Sequence, residues 1–288
     1  MSRLSNSSVD KPHVMITGAS RGIGVYIAQA FARRGYNLTL VARSQPGLEK
    51  TKHLLRKSDV EVVILPADLS VAAERIRLVE EAISKNGPID VLVNNAGLYQ
   101  PGLLEERSDE EIESEIQLNL SALIFLSKAV LPAMKTRGRG LIVNMSSLAG
   151  LVGAAYSEVY SATKHGVVGF TRALRATLEQ EGIDGVRVVA VCPGYVSEVG
   201  MFQGYQEAYD IDAPKWMGTS HPDAVAAAVL DALDNDSPEI VVNPGPIRLG
   251  LSLSALFPRW MERLYLKLGA HKTLRPLLAP VSKEKVDG

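Results

Sequence analysis

Tyr160 and Lys164 are four residues apart, and Ser147 lies thirteen positions before the tyrosine. On a helix, the first two share one face, one turn apart. A phenol with a pKa of about 10 is a poor acid or base near neutral pH unless something perturbs it. An ammonium one turn away favours the phenolate and lowers that pKa. A serine hydroxyl nearby could hydrogen-bond the oxygen of a bound carbonyl. The chemistry this set suggests is proton transfer at a carbonyl or alcohol oxygen. A two-residue Tyr/Lys pattern also arises by chance, so its weight depends on what positions it.

The unbroken apolar run Leu141-Ile142-Val143 reads as a buried strand leading to Ser147. The spacing predicts a helix over 161–181, with Ala162, Gly166, Val167, Phe170, Leu174 and Leu178 along one stripe. Near the start of the chain, a short strand over 13–17 runs into Gly18-Ala19-Ser20-Arg21-Gly22-Ile23-Gly24 and then a helix over 25–34 ended by Gly35. A strand, a glycine turn and a helix N-terminus make a phosphate-binding device, with close backbone approach and unpaired N–H groups. The second strand, over 37–41, is followed by Ala42-Arg43-Ser44. A dinucleotide fold usually carries an acid at that point to bind the ribose 2′-hydroxyl. None is present, and Arg43 and Arg21 suit a 2′-phosphate.

Further along, a strand over 60–65 ends near Asp68-Leu69, where Asp68 could accept from an adenine amino group. A strand over 90–93 runs into Asn94-Asn95-Ala96-Gly97. A helical region from Ser108 to Lys135 carries Asn119 inside it, a poor interior residue that predicts a kink or a bound water. The strand over 186–191 leads to Cys192-Pro193-Gly194-Tyr195-Val196. Residues 197–220 have little periodicity and read as a long loop, a lid or a disordered insert. A helix from His221 to about Leu233 and a strand over 239–242 complete the pattern. The alternation predicts an α/β fold, a doubly wound parallel sheet of about seven strands with helices on both faces.

Net charge is −1 and the charged fraction 22%. That excludes a global pull toward nucleic acid or anionic membranes. One cysteine, Cys192, excludes an internal disulfide framework and fits a reducing, cytoplasmic compartment. No metal site is expected. Residues 1–11 read as a disordered leader, 12–246 as one catalytic domain and 247–288 as a basic amphipathic extension. Pro258 divides that extension into two helical pieces. It either packs on the substrate loop or a second subunit, or makes peripheral membrane contact through 247–275.

Together these segments resemble the short-chain dehydrogenase/reductase family in its compact form. The matches are Thr17-Gly-Ala-Ser-Arg-Gly-Ile-Gly24, Asp68, Asn94-Asn-Ala-Gly97, Asn119, Ser147, Tyr160-x-x-x-Lys164 and Pro193-Gly194. The resemblance implies Tyr160 as proton donor in carbonyl reduction and as base in the reverse direction. Lys164 would lower its pKa and bind the nicotinamide ribose, Ser147 would orient the substrate oxygen, and Asn119 would hold a water relaying protons to Lys164. It implies NADP(H) held by Gly18, Ser20, Arg21, Gly22, Ile23, Gly24, Arg43, Ser44, Asp68, Leu69, Asn95, Ala96, Gly97, Tyr160, Lys164, Pro193, Gly194 and Val196. It also implies a homodimer or homotetramer built from helices around 109–135 and 157–181. Glu198 stands where the family usually has a threonine that bonds the nicotinamide carboxamide.

The loop 148–155, Leu98, Tyr195 and the lid 201–216 offer mostly apolar contacts. They suggest a hydrophobic carbonyl substrate held by Ser147, Tyr160 and Tyr195. The expected function is therefore NADPH-dependent reduction of a ketone or aldehyde, or oxidation of the matching alcohol. The alternatives are a catalytically silent NADP(H)-binding regulator and a membrane-associated interaction protein.

Overall fold

The computed structural model describes residues 11–269 and 272–278. All but one residue of the expected leader, and the last ten residues of the extension, lie outside them. Seven parallel strands form one sheet in the order β3-β2-β1-β4-β5-β6-β7. They are β1 His13–Thr17, β2 Asn37–Ala42, β3 Val62–Pro66, β4 Val91–Asn94, β5 Gly140–Met145, β6 Val186–Pro193 and β7 Glu239–Val242. Helices α1 Ile23–Arg33, α2 Gln45–Leu54, α3 Ala72–Asn86, α4 Asp109–Ile116, α5 Ala122–Arg137 and α6 Glu158–Gln180 connect them in turn. Then come α7 Met201–Tyr209, α8 Pro222–Asp234, α9 Arg248–Leu256 and α10 Pro258–Lys267.

Side chains of a strand alternate between faces, so a sheet covered on both sides needs apolar residues at every position. Val14 and Ile16 of β1 pack with Ile27, Ala28 and Phe31 of α1 and Val225 and Val229 of α8. Met15, between them, packs on the other face with Leu78 of α3 and Leu126 and Val130 of α5. Leu141 and Val143 of β5 join the first core and Ile142 the second. The sheet is thereby clamped between two helical layers. Because all strands run the same way, their carboxyl ends line one edge, and the strand order reverses between β1 and β4 at that edge.

Two local devices set the helix that borders the site. Ser108 and Glu111 form a capping box at the start of α4, each bonding the other's backbone N–H. Between α4 and α5 the chain makes a π-helical turn, Gln117–Ser121, centred on Asn119. The kink expected from an interior asparagine takes this form. The combined helix 109–137 is long and apolar enough by length and composition to cross a membrane. Here Leu126, Val130 and Met134 pack on the sheet instead.

The structure corrects the reading of residues 197–220. They contain a helix, α7, none of whose residues is buried. A helix without a core-facing stripe leaves no apolar period in the sequence. The helix bearing Tyr160 also starts earlier than the spacing predicts, at Glu158.

Close approach at the β5–β6 entrance gives a direct test. A Cβ on Gly185 would lie 1.8 Å from the carbonyl oxygen of Gly138, the left-handed residue that ends α5. Neither backbone segment can yield cheaply. Gly185→Ala should cost about 1–3 kcal/mol, read as a lower urea midpoint at unchanged slope. An unchanged midpoint would show that the two loops are not locked together.

Candidate active site

The end of β5, the helical turn Leu148–Gly150 and the first two turns of α6 bring the chemical residues together. Ser147 caps the 148–150 turn, accepting from the Ala149 N–H at 3.2 Å and donating to the Pro193 carbonyl at 3.4 Å. Its hydroxyl is near enough to the Tyr160 hydroxyl to oppose the rise of that phenol's pKa, and both line the cavity. Ser146 acts elsewhere, its buried hydroxyl donating to the Lys164 carbonyl at 2.9 Å. The 148–150 turn lies so close on α6 that a Cβ on Gly150 would sit 2.6 Å from that same carbonyl oxygen.

Lys164 is only 4% exposed. Its Nζ donates to the Met145 carbonyl at 2.9 Å and lies 5.5 Å from the centre of the Tyr160 ring. Burial pushes the ammonium down to about 8, opposed by the more distant acid groups Cys192 and Glu115. Burial pushes the Tyr160 phenol up to about 12, opposed by the Ser147 hydroxyl. The expectation that Lys164 lowers the tyrosine pKa is therefore not met in the protein by itself. Desolvation disfavours both charged forms, and it outweighs the attraction that the spacing suggests.

Asn119 is fixed by the π turn. Its Oδ1 accepts from the Leu98 N–H at 2.7 Å, and its Nδ2 donates to the Leu98 carbonyl at 2.8 Å and to Thr163 Oγ1 at 3.3 Å. The side chain is thus committed to protein partners. Leu98, expected in the substrate pocket, serves instead as the backbone that Asn119 grips. Its neighbour Tyr99 lines the cavity, with its ring 4.8 Å from that of Tyr160 and its hydroxyl 2.9 Å from Ser157. Sequence reasoning missed Tyr99 because alternation along an irregular segment gives no side-chain direction. It also missed Glu115, a wholly buried carboxylate on α4 held 2.8 Å from Arg107. Burial raises its pKa despite that partner.

The glycine turn meets the end of β4. Asn95 Nδ2 donates to the carbonyls of Thr17 at 2.9 Å and Gly18 at 3.2 Å, while Thr17 Oγ1 accepts from the N–H groups of Asn95 and Ala96. A Cβ on Gly24 would lie 2.2 Å from the Gly18 oxygen. Gly18 and Gly22 have φ of 67° and 63°. The N-terminus of α1 has no side-chain cap, and its first residue, Ile23, lines the cavity. This is a cradle for a phosphate. Ser20 abuts the first turn of α2 at Gly47. Gly97 sits beside Asn119 and Lys164.

Arg21 and Arg43 are both exposed at the carboxyl ends of β1 and β2. Ser44 caps α2 by accepting from the Gly47 N–H. Asp68 accepts from the N–H and hydroxyl of Ser70, which hold its carboxyl below the ordinary value, with Arg43 adding a smaller pull. Leu69 is buried, and Arg75 donates to its carbonyl. Glu198 adopts a left-handed φ of 66° and points to His221 at 3.2 Å. Its carboxylate therefore faces the N-terminus of α8, and the cavity wall there is formed by Val196, Val199 and Gly200.

A cavity of about 690 Å³ runs from Ile23, Asn95 and Gly97 past Ser147, Tyr160, Lys164, Pro193 and Gly194 to an apolar far end. Tyr195 lines that end, its ring 4.6 Å from Phe202 of α7. The extension closes it: Leu251, Met261, Tyr265, Leu274 and Leu277 all face inward, and Tyr265 stacks on Trp216 at 5.8 Å. One face of the extension thus packs on the substrate loop.

The family model described as short chain dehydrogenase matches residues 12–210. A ketoacyl reductase, HetN, of Nostoc sp. is 40% identical over 257 residues, covering 88% of this chain and 87% of that one. A variant of actinorhodin polyketide ketoreductase solved with NADPH superposes with a TM-score of 0.71 at 32% identity, covering 81% of this chain and 96% of that one. An alcohol dehydrogenase from the archaeon Thermococcus sibiricus, complexed with 5-hydroxy-NADP, gives 0.69 at 34% identity, over 81% and 96%.

The buried ammonium makes a prediction with a definite sign. Lys164 has its pKa lowered from 10.5 to about 8 in the folded chain. Between those values the unfolded chain binds the extra proton, so stability rises with pH there. Below about 8 both states are protonated and the cost is constant. The unfolding free energy of the wild type minus that of Lys164→Met should therefore climb from pH 8 to 10.5 and be flat below. Denaturant melts along a pH series measure it, and a difference flat across that window would contradict the desolvation account.

Proposed function

The chain belongs to the short-chain dehydrogenase family, and on that premise we propose that it is an NADP(H)-dependent reductase of a hydrophobic ketone or aldehyde, with Tyr160 as proton donor. The observation that carries this reading is that Ser147, Tyr160 and Lys164 line one cavity together. One end of that cavity reaches the glycine cradle, and the other is apolar. The cradle fits a dinucleotide: its turn packs so closely on itself and on Asn95 and Ala96 that only glycine is accommodated at 18 and 24, and the α1 N-terminus above it has no side-chain cap. Gly18 to Gly24, Asn95, Ala96 and Gly97 would hold the pyrophosphate side, Asp68 and Leu69 the adenine, and Lys164, Pro193, Gly194 and Val196 the nicotinamide side. When bound, NADPH would supply the hydride.

The rest of the work falls to the chain's own residues. Ser147 orients the substrate oxygen through its hydroxyl. Tyr160, fully protonated at neutral pH, donates its phenolic proton to that oxygen as negative charge develops there. Raised to about 12 by burial, the phenol carries its proton at neutral pH and can give it up to the substrate oxygen. Lys164, one turn away, is the nearest cation to the phenolate that remains. Asn119 fixes the backbone that carries Gly97 and Tyr99. The substrate's apolar body lies against Tyr195, Tyr99 and Phe202. The ketoacyl reductases among the relatives are in keeping with a substrate whose carbonyl sits on an apolar chain.

Two further inferences concern the surroundings. We infer a homodimer or homotetramer through α4–α5 and α6, where Ile116, Phe125 and Ala162 are exposed. The single, buried Cys192 suits a reducing, cytoplasmic compartment.

Tyr160→Phe keeps the ring and removes the proton. It should cost about 100-fold or more in turnover while leaving NADPH affinity by fluorescence within a few-fold. Retention of more than about a tenth of the wild-type rate would remove Tyr160 from the donor role.

Cofactor choice is a separate test. With no acid at Ala42, and with Arg43 and Arg21 able to meet a 2′-phosphate, NADPH should be preferred over NADH. Both guanidinium groups are exposed, so the preference should be about one to three orders of magnitude in KM. Arg43→Ala should raise KM for NADPH and leave NADH nearly unchanged. Equal weakening of both cofactors would contradict the assignment.

A further inference from the structure

The outward face of the extension has no role in the reaction described above. Leu249, Leu256, Phe257, Trp260, Leu266 and Leu268 are each between 49% and 71% exposed. Leu249 and Leu256 are seven residues apart and share one side of α9. Phe257 and Trp260 sit at the corner with α10. Along α10, Arg259, Arg263 and Lys267 repeat every fourth residue, a single line of positive charge, with Trp260 and Leu266 flanking it. Arg248, Lys272 and Arg275 add to it, and the one acid in this stretch is Glu262. The chain as a whole carries a net charge of −1, so this is a local concentration of positive charge.

The same helices are the cavity wall. Met261 and Tyr265 face inward on α10, while Leu266 both lines the cavity and is 55% exposed. Met201 of α7 also lines it and is 41% exposed. Leu266 thus belongs both to the cavity wall and to the basic, apolar face. α9 contributes no buried residue, so little core packing opposes a small outward movement of that helix.

We propose that the α9–α10 face docks on an anionic lipid surface, and that the hydrophobic carbonyl passes from the lipid into the cavity past Leu266. Lipid is favoured over a second copy of the chain by charge. A two-fold contact would set this basic row against its own image with only Glu262 to neutralise it. Anionic headgroups meet the row of Arg259, Arg263 and Lys267, and the acyl region accepts Leu256, Phe257 and Trp260. Docking stands on this surface alone, whereas delivery rests on the reductase reading.

The test uses the full-length protein and sedimentation with vesicles of phosphatidylcholine, with and without phosphatidylserine. The wild type should bind the phosphatidylserine vesicles at least tenfold more tightly, and salt should weaken binding. Two double variants outside the cavity lining, Arg259→Glu with Arg263→Glu and Leu256→Ser with Trp260→Ser, should each lose at least tenfold in vesicle affinity. Both should keep their NADPH affinity and their rate on a short, water-soluble ketone, while their rate on a ketone dissolved in the vesicles falls at least tenfold. Failure of the wild type to bind phosphatidylserine vesicles, or variants that bind like it, would overturn docking. So would light scattering that shows a dimer dissociated by the same substitutions. Unchanged variant rates on the vesicle-borne ketone would overturn delivery. Vesicle binding by a protein that turns over no carbonyl would uphold docking and overturn the reductase reading.

Discussion

A lysine ammonium taken out of water is the constraint around which the site is built. Burying an unpaired charge is costly, so Lys164 needs a partner and a fixed path to it. The partner is the Met145 carbonyl at the end of β5, and reaching it ties α6 to the centre of the sheet. Gly150 and Ser146 then press the following turn onto the carbonyl of the same lysine. That turn carries Ser147, and the first turn of α6 carries Tyr160. Proton donor, orienting hydroxyl and ammonium are thus held by one compact junction between strand and helix. Its rigidity comes from backbone contacts that a single extra methyl group would break.

The two halves of the cavity are made differently. The glycine cradle, Asn95 and Gly97 belong to β1, β4 and the segments that follow them, where strand order reverses and two carboxyl ends diverge. Hydrogen bonds from Asn95 and to Thr17 lock that half to the sheet. The apolar half is assembled from α7, Trp216, α9 and α10, which lie outside both main cores. A small cluster of Ile211, Leu274 and Leu277 with Phe202 and Tyr205 anchors α7 to the residues that follow α10. A dinucleotide needs fixed geometry, whereas a hydrophobic body needs a wall that can part and close. The distribution of packing follows that difference.

Much of this was legible in the residues. Apolar runs bounded by glycine turns gave the strands in their order of appearance, and four-residue spacing placed Tyr160 and Lys164 on one face. An asparagine inside an apolar helix marked the π turn. What spacing could not give was the balance of energies at close range. Proximity of a cation suggested a lowered tyrosine pKa, yet the junction that brings the groups together also removes their water, and desolvation wins. Nor could the sequence show α7, a helix with no buried face, or the direction of Glu198. That direction is set by a left-handed backbone and by His221 at the start of α8. Tyr99 was hidden for a similar reason, since its orientation follows from the grip of Asn119 on Leu98.

The central claim is that this junction performs reduction rather than merely presenting a dinucleotide site. Incubating the protein with NADPH deuterated on the transferable position and a hydrophobic ketone tests it most directly, with product analysed by mass spectrometry. The account predicts an alcohol with one deuterium on the carbinol carbon, formed over many turnovers. Tight NADPH binding with no deuterium transferred to any ketone or aldehyde of a broad panel would contradict it.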